Sequence, residues 1–157
     1  MNETDTQKRR LWIRLFYGLN ILVALVIGLS VLVRYRPDGI LARVLDPFRR
    51  FLVWGLPNDA PRGLHFLRDY LPGMLFSYAL TFAVSAALRK KRRTGLAVEI
   101  CCAAVFLLEA AQLLPFVPGA FDPGDLILEA VGVLVAGAAV YAFEWSLTRP
   151  RKPGTQS

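Results

Sequence analysis

Residues 108–132 read LEAAQLLPFVPGAFDPGDLILEAVG and connect two long apolar stretches of the chain. Each flanking stretch is long enough to cross a lipid bilayer as an α-helix. Polar side chains are nevertheless concentrated at the junction between them: Glu109, Gln112, Asp122, Asp125 and Glu129. Because ionisable groups are costly at membrane depth, each of these residues is a candidate functional residue.

The overall composition indicates a membrane protein. Hydrophobic residues make up 55% of the 157 residues, and the mean hydropathy is +0.42. Four apolar stretches approach or exceed the roughly 18 residues of a spanning helix, at about 12–33, 70–88, 95–117 and 125–147. The sequence therefore predicts an all-α, polytopic membrane protein with four transmembrane helices, built as a single membrane domain over residues 1–157.

The formal net charge of +7 does not indicate nucleic-acid binding. The basic residues lie in blocks beside the apolar stretches, where anionic lipid headgroups would be. Cys101 and Cys102 are adjacent, and neighbouring helical residues point about 100° apart, so they are expected to pack against another helix rather than form a structural disulfide. His65 is the only histidine, and no metal-ligand spacing occurs. Neither a metal nor another cofactor is expected.

The distribution of lysine and arginine predicts the orientation. The loop 89–93 is short and entirely basic, so it is expected in the cytoplasm, and the basic blocks at 8–10 and 149–152 fit the same side. The loop 118–124 has no basic residue and is expected to face outward. Four spans with both termini in the cytoplasm satisfy these expectations and predict a multi-pass membrane protein.

The connection 34–68 disagrees with this orientation, because it would lie outside while carrying seven arginines. An odd number of spans would instead move another basic block outward, so the four-span arrangement is retained. Part of the connection is explained by a predicted amphipathic helix over Ile40 to Leu56, kinked at Pro47, lying in the outer membrane interface with Trp54 near headgroup depth. Its apolar stripe has helical spacing: Ile40, Leu41, Val44, Leu45, Phe48, Phe51 and Leu52.

The spacing of the polar residues predicts that they converge. Glu109 and Gln112 are three residues apart and share a helix face, as do Asp125 and Glu129, four apart. A loop of only a few residues makes the third and fourth spans antiparallel neighbours, with Glu109 about 10 Å below the outer end of its span. With Asp69 and Arg68 at the start of the second span, these residues predict an outward-facing acidic pocket.

Structural explanations stand beside this hypothesis. Asp122 and Asp125 are suited to capping the fourth helix, and Glu109 with Gln112 to locking helices together through a hydrogen bond. Glu129 would then be protonated between helices. Gly132 and Ala136 favour close packing of the third and fourth spans, or a homodimer face. Glu99 and Glu144 are expected to be solvated or paired with a basic residue: Arg92, Arg93 or Arg149.

Glu109-x-x-Gln112, followed by Phe121-Asp122-x-x-Asp125 and Gly132, resembles the VanZ-like family of bacterial membrane proteins over residues 68–140, about half of the chain. Asp69 matches the acidic residue that opens the preceding span in that family. Two positions depart from the family pattern, because Gly73 and Glu129 stand where asparagine is usual. The basic residue common before the F-D step is replaced by Gly119-Ala120, so Arg68 or Arg62 would have to partner the acids.

The resemblance implies a small helical bundle in the bacterial inner membrane and a role in the cell envelope. The namesake of the family is associated with low-level resistance to the glycopeptide teicoplanin. We therefore expect a non-enzymatic protein. It would bind or handle an anionic or glycosylated lipid, such as a lipid-linked envelope precursor, or it would influence glycopeptide sensitivity. Arginines of the outer connection suit phosphate, because their planar forks make bidentate contacts.

Two other functions remain open at this point. The chain has the size and small-residue faces of a structural or adaptor subunit, with another membrane protein or a second copy as its partner. A membrane enzyme acting on a lipid-linked substrate would use Glu109 or Asp125 as a general base. No nucleophile motif, metal triad or phosphate loop supports that enzyme.

Overall fold

The structure, a computed structural model, describes residues 3–35, 40–53, 65–89, 93–114 and 121–148. All regular structure in these ranges is helical. The elements are α1 (Glu3–Tyr35), α2 (Ile40–Val44), a short 3₁₀ helix (Asp46–Phe48), α3 (Arg49–Leu52), α4 (His65–Leu88), α5 (Thr94–Ala111) and α6 (Pro123–Thr148).

Within the described residues, four helices are long and apolar enough to cross a membrane. They cover Gln7–Tyr35, Arg68–Leu88, Thr94–Ala111 and Pro123–Thr148. The predicted all-α, polytopic membrane fold is therefore confirmed.

Helix α4 is the centre of the bundle and packs against each of the other three spanning helices, most extensively against α6. Tyr70 contacts Asp122 and Ser77 contacts Glu129, so α4 and α6 run in the same direction. Helices α1 and α5 run the opposite way. The start of α4, the start of α6 and the end of α5 consequently meet at one end of the bundle.

Aromatic rings fill the bundle near its other end. Phe16 stacks on Phe143 with ring centroids 3.8 Å apart, and both rings pack on a buried cluster that includes Tyr17 and the fully buried Phe82. Burial of such large side chains is a major source of packing energy. Cys101 is buried in a second cluster and carries a free thiol, which confirms that it packs against a neighbouring helix.

The close contact of Gly132 is with α4 and not with α5. A Cβ atom at Gly132 would collide with the Met74 carbonyl oxygen and lie 2.6 Å from Ser77 Oγ. Ala136 is buried in a cluster with Phe82 of α4. The expectation that small residues join the third and fourth spans was therefore wrong for this pair, but it is confirmed for Gly137, where a Cβ atom would collide with Val98 of α5. The small residues let α6 approach the second span, where Ser77 Oγ donates to the Glu129 carbonyl oxygen at 2.9 Å.

The segment predicted as one amphipathic helix from Ile40 to Leu56 is divided into short pieces. Proline has no N–H and disrupts a continuing α-helix, and at Pro47 the chain forms the 3₁₀ helix, with the Phe48 N–H bonded to the Leu45 carbonyl oxygen. The apolar stripe is exposed at Phe51, 84% accessible, and also at Leu41, Val44 and Phe48. Residues 54–56 lie outside the described ranges, and the position of the segment in the membrane interface stays a prediction.

Helix α5 ends earlier than expected. The third span was predicted to continue to residue 117, but the helix stops at Ala111. Tighter turns follow, in which the N–H groups of Gln112, Leu113 and Leu114 bond to carbonyl oxygens three residues back. Pro115 explains this, because it disfavours a helical conformation in the preceding residue. Glu109 therefore lies in the last turn of α5 and not about 10 Å from the end of the helix.

Candidate functional site

The polar residues singled out from the sequence lie at the end of the bundle where α4 and α6 begin and α5 ends. We call this region the polar end. It contains Arg68, Asp69, Tyr70, Glu109, Gln112, Asp122, Asp125 and Glu129. Three different helices supply these side chains, so the polar end exists only in the folded bundle.

Glu109 is the most buried acid of the polar end, with 5% of its surface accessible. The Gln112 side-chain amide donates to Glu109 Oε1 at 3.0 Å, as their spacing predicted. Glu109 Oε2 is also buried, and no described group hydrogen-bonds to it. The carboxyl group lies in the last turn of α5, where the helix dipole disfavours negative charge. An external hydrogen-bond donor would satisfy this oxygen.

Asp122 caps helix α6, as one of the two structural explanations anticipated. Its Oδ1 accepts a hydrogen bond from the Gly124 backbone N–H at 2.8 Å, and its Oδ2 accepts one from the Tyr70 hydroxyl at 3.1 Å. A Cβ atom at Gly124 would lie 3.0 Å from the Tyr70 ring, so glycine allows the ring to approach. Asp125 follows in the first turn of α6, where the helix dipole favours an acid.

Glu129 reaches across to α4. A Cβ atom at Gly73 would lie 2.7 Å from Glu129 Oε1, so the carboxyl group occupies space that a larger residue at position 73 would take. Glu129 is within electrostatic reach of Glu109 and of Asp125. The structure thus brings together acids from α5 and α6 that the sequence predicted to converge.

Arg68 binds its sequence neighbour. Its guanidinium forms a bidentate contact with Asp69, with N–O distances of 2.9 and 3.2 Å. Both side chains are about one third accessible, at 38% and 33%, so this pair lies at the rim of the polar end. Among the described contacts, Arg68 neutralises Asp69 and leaves Glu109 without a basic partner. Arg62, the other basic partner expected from the sequence, lies outside the described residues.

No family model, curated protein or solved structure matches this chain. The resemblance to the VanZ-like family therefore rests on the residues that carry it. In the described ranges, no group of three or more His, Cys, Asp or Glu side chains is arranged to hold a metal ion.

Tyr70 is the polar-end residue that sequence reasoning did not single out. Its hydroxyl binds Asp122 and is within electrostatic reach of Asp69 and Asp125. Tyr70, Gly73 and Ser77 recur at helical spacing, which places them on one face of α4. A tyrosine, a glycine and a serine on one face of an apolar span are a signal that this face contacts another helix, but they do not identify α6 as that helix.

The opposite end of the bundle has its own polar contacts, centred on Glu144. Its Oε2 accepts a hydrogen bond from the Thr94 hydroxyl at 2.8 Å, and its Oε1 accepts one from the Tyr17 hydroxyl at 3.2 Å. The expected pairing with Arg93 is not found, because neutral donors from α1 and α5 already hold the carboxylate. Arg92 and Arg149, the other expected partners, lie outside the described residues. Glu99 is exposed, as expected.

Proposed function

We propose that this chain is a non-enzymatic, VanZ-like protein of the bacterial inner membrane whose polar end binds or handles a glycosylated or anionic lipid. An influence on glycopeptide sensitivity would follow from action on a lipid-linked envelope precursor. The observation that carries the proposal is the buried oxygen Glu109 Oε2, which no described group satisfies. A buried acceptor without a partner costs about 1–3 kcal/mol, so a ligand that donates to it gains affinity.

The balance of donors and acceptors favours a ligand rich in hydroxyl groups. The polar end has five carboxyl groups, and its one arginine is engaged by Asp69. Sugar hydroxyls donate hydrogen bonds and match such a site. The lipid phosphate is assigned to the arginines of the neighbouring segment, Arg43, Arg49 and Arg50. That segment packs against α1 through α2 and α3, and arginine binds phosphate well.

The contact between Gly73 and Glu129 supports a VanZ-like site that has diverged. These are the two positions where this chain departs from the usual asparagines, and in the structure they face each other. The absence of a side chain at position 73 gives the longer Glu129 its space. The two departures therefore compensate for one another sterically, while the local surplus of carboxyl groups increases.

The same proposal places the polar end on the outer side of the membrane and both termini in the cytoplasm. It is supported by the basic residues at 8–10, 89–93 and 149–152, which adjoin the spans at the opposite end. The ligand would then be drawn from the outer leaflet.

The test is native mass spectrometry of gently solubilised protein, comparing wild type with Glu109→Gln. The substitution keeps the size of the side chain and its acceptor for Gln112, but removes the carboxylate. We expect wild type to retain a polyprenyl phosphate or glycolipid selectively, and the variant to lose most of this selectivity, by about 10- to 150-fold for a hydrogen bond to a charged group.

Glu99→Gln is the matched control, because Glu99 lies on the same helix, is exposed and is distant from the polar end. It should retain the same lipids as wild type. Selective binding that persists unchanged in Glu109→Gln would reject the proposal, and retention of bulk phospholipid alone by both proteins would favour the structural or adaptor function.

A further inference from the structure

An open cavity of about 240 Å³ lies between the first turn of α5 and the last turns of α6, at the end of the bundle opposite the polar end. We call it the aromatic cavity. Its lining residues are Thr94, Gly95, Tyr141, Glu144, Trp145 and Thr148. The four residues from α6 have helical spacing and share one face of that helix. Nothing lies within 4 Å of a Cβ placed at Gly95, so this side of the cavity is open.

The lining of the aromatic cavity carries one negative charge. Glu144 is its only acidic lining residue, and the two groups that hold its carboxylate, the Tyr17 and Thr94 hydroxyls, are neutral donors. No ion pair within the described ranges involves Glu144. Two guanidinium groups at this end of the bundle lie outside the lining: Arg9, which donates to the Leu147 carbonyl oxygen at 3.0 Å, and Arg89, which is within electrostatic reach of Tyr17.

Two aromatic rings complete the wall. Tyr141 and Trp145 lie nearly parallel, with ring centroids 6.4 Å apart and an interplanar angle of 20°. They are 62% and 52% accessible. The face of an aromatic ring carries negative partial charge and attracts cations, tryptophan most strongly. The carboxylate and the ring faces therefore both favour a positively charged ligand at the same place.

We propose that the aromatic cavity binds an alkylammonium group, supplied by the headgroup of an aminophospholipid. The volume is below the roughly 300–1,000 Å³ of pockets that enclose a whole drug-sized ligand, so it suits a headgroup whose acyl chains remain in the bilayer. The position at the end of α6 places the cavity at headgroup depth, where tyrosine and tryptophan are common. A plain aromatic anchor in the interface would have no need of a carboxylate held between the two helices.

The experiment uses the full-length protein in detergent, offered equal amounts of phosphatidylethanolamine and phosphatidylglycerol with identical acyl chains, with retained lipids counted by native mass spectrometry. Wild type should retain phosphatidylethanolamine preferentially. Glu144→Gln and Tyr141→Leu should each reduce that preference, the tyrosine change by roughly two- to fivefold, as expected for an exposed cation–π contact. Tyr141→Leu is included because its side chain is exposed, whereas Glu144 joins three helices.

Glu99→Gln is the matched charge control, since it removes an exposed carboxylate from α5 near the same end. Glu109→Gln must also keep the preference, which separates this site from the polar end. Tetramethylammonium chloride supplies the soluble arm: displacement of the lipid at low millimolar concentration would assign the cavity to a soluble amine, and no displacement would assign it to the lipid. Equal retention of the two lipids by wild type, or an unchanged preference in both variants, would overturn the proposal.

Discussion

Glu109 has an environment that a structural carboxylate rarely keeps. It is buried, it lies at the negative end of a helix dipole, and only one of its oxygens has a hydrogen-bond partner among the described residues. A glutamine at this position would form the same contact with Gln112 at lower cost. The carboxyl group is therefore better suited to the proposed ligand than to packing alone.

Asp122 makes the clearest residue-scale prediction about stability. Asp122→Ala removes the cap of α6 and the contact with Tyr70, so the free energy of unfolding should fall by about 1–3 kcal/mol. Asp122→Asn keeps an oxygen for the cap and should lose less. Denaturant titration of the solubilised protein, followed by circular dichroism, measures both.

Asp46→Ala serves as the control for Asp122→Ala. Asp46 is 68% accessible and its ion pair with Arg49 is 3.8 Å long, so its removal should cost about 0–1 kcal/mol. Equal losses in Asp46→Ala and Asp122→Ala would show that the contacts of Asp122 do not stabilise the bundle.

At this scale the sequence predicted pairings within one helix better than pairings between helices. The contact of Glu109 with Gln112 follows from a spacing of three residues, which a helix converts into proximity. The contact of Tyr70 with Asp122 depends on which face of α4 meets α6. One sequence does not contain that information until the helices are packed.

At the scale of elements, the parallel contact of α4 with α6 depends on the absence of a side chain at Gly132. Gly132→Ala would place a methyl group against the Met74 carbonyl oxygen and Ser77 Oγ. A backbone carbonyl cannot rotate away as a side chain can, so the two helices must separate. We expect the free energy of unfolding to fall by about 1–3 kcal/mol.

Gly18→Ala is the matched control, because no atom lies within 4 Å of a Cβ placed there. Replacing this glycine should be neutral or stabilise α1 by about 0.5–1 kcal/mol. Thermal unfolding in the same detergent compares the stabilities of the two variants. A Gly132→Ala variant as stable as Gly18→Ala would mean that the α4–α6 contact is not tight.

The end of α5 shows that hydropathy does not determine the residue at which a helix stops. Residues 112–117 are apolar enough to extend the third span, so the span was expected to end at residue 117. Backbone chemistry ended the helix at Ala111 instead, because the proline at 115 disfavours helix before it. The amphipathic pattern from Ile40 likewise predicted a helical segment with a kink at Pro47, whereas the structure divides the segment into separate short helices there.

At the scale of the whole molecule, hydropathy was sufficient for the four spans, because bilayer-spanning helices are encoded by the length of apolar segments. Hydropathy was not sufficient to predict which spans contact each other, because every span is apolar on several faces. Helix α4 occupies the centre through small and polar side chains such as Gly73, Ser77 and Thr81. Its span is the least apolar of the four, but hydropathy does not identify the helices that it contacts.

Orientation gives a prediction for the intact molecule. In a background with Cys101→Ala and Cys102→Ala, a cysteine introduced at Phe121 should react with a membrane-impermeant maleimide on whole cells. A cysteine introduced at Gly95, also accessible, should react only after the cells are permeabilised. The reverse pattern would show that the polar end faces the cytoplasm, and labelling at both positions on intact cells would contradict the up-and-down arrangement of spans.

The early end of α5 has a consequence for the surrounding lipid. With 18 residues, this helix is about 27 Å long, about 3 Å less than a typical hydrocarbon core, whereas α6 has 26 residues. A bilayer becomes thinner beside a hydrophobic surface that is shorter than its hydrocarbon core. Under the proposed function, a headgroup drawn inward beside α5 would approach the turn that carries Glu109 while its acyl chains remain in the membrane.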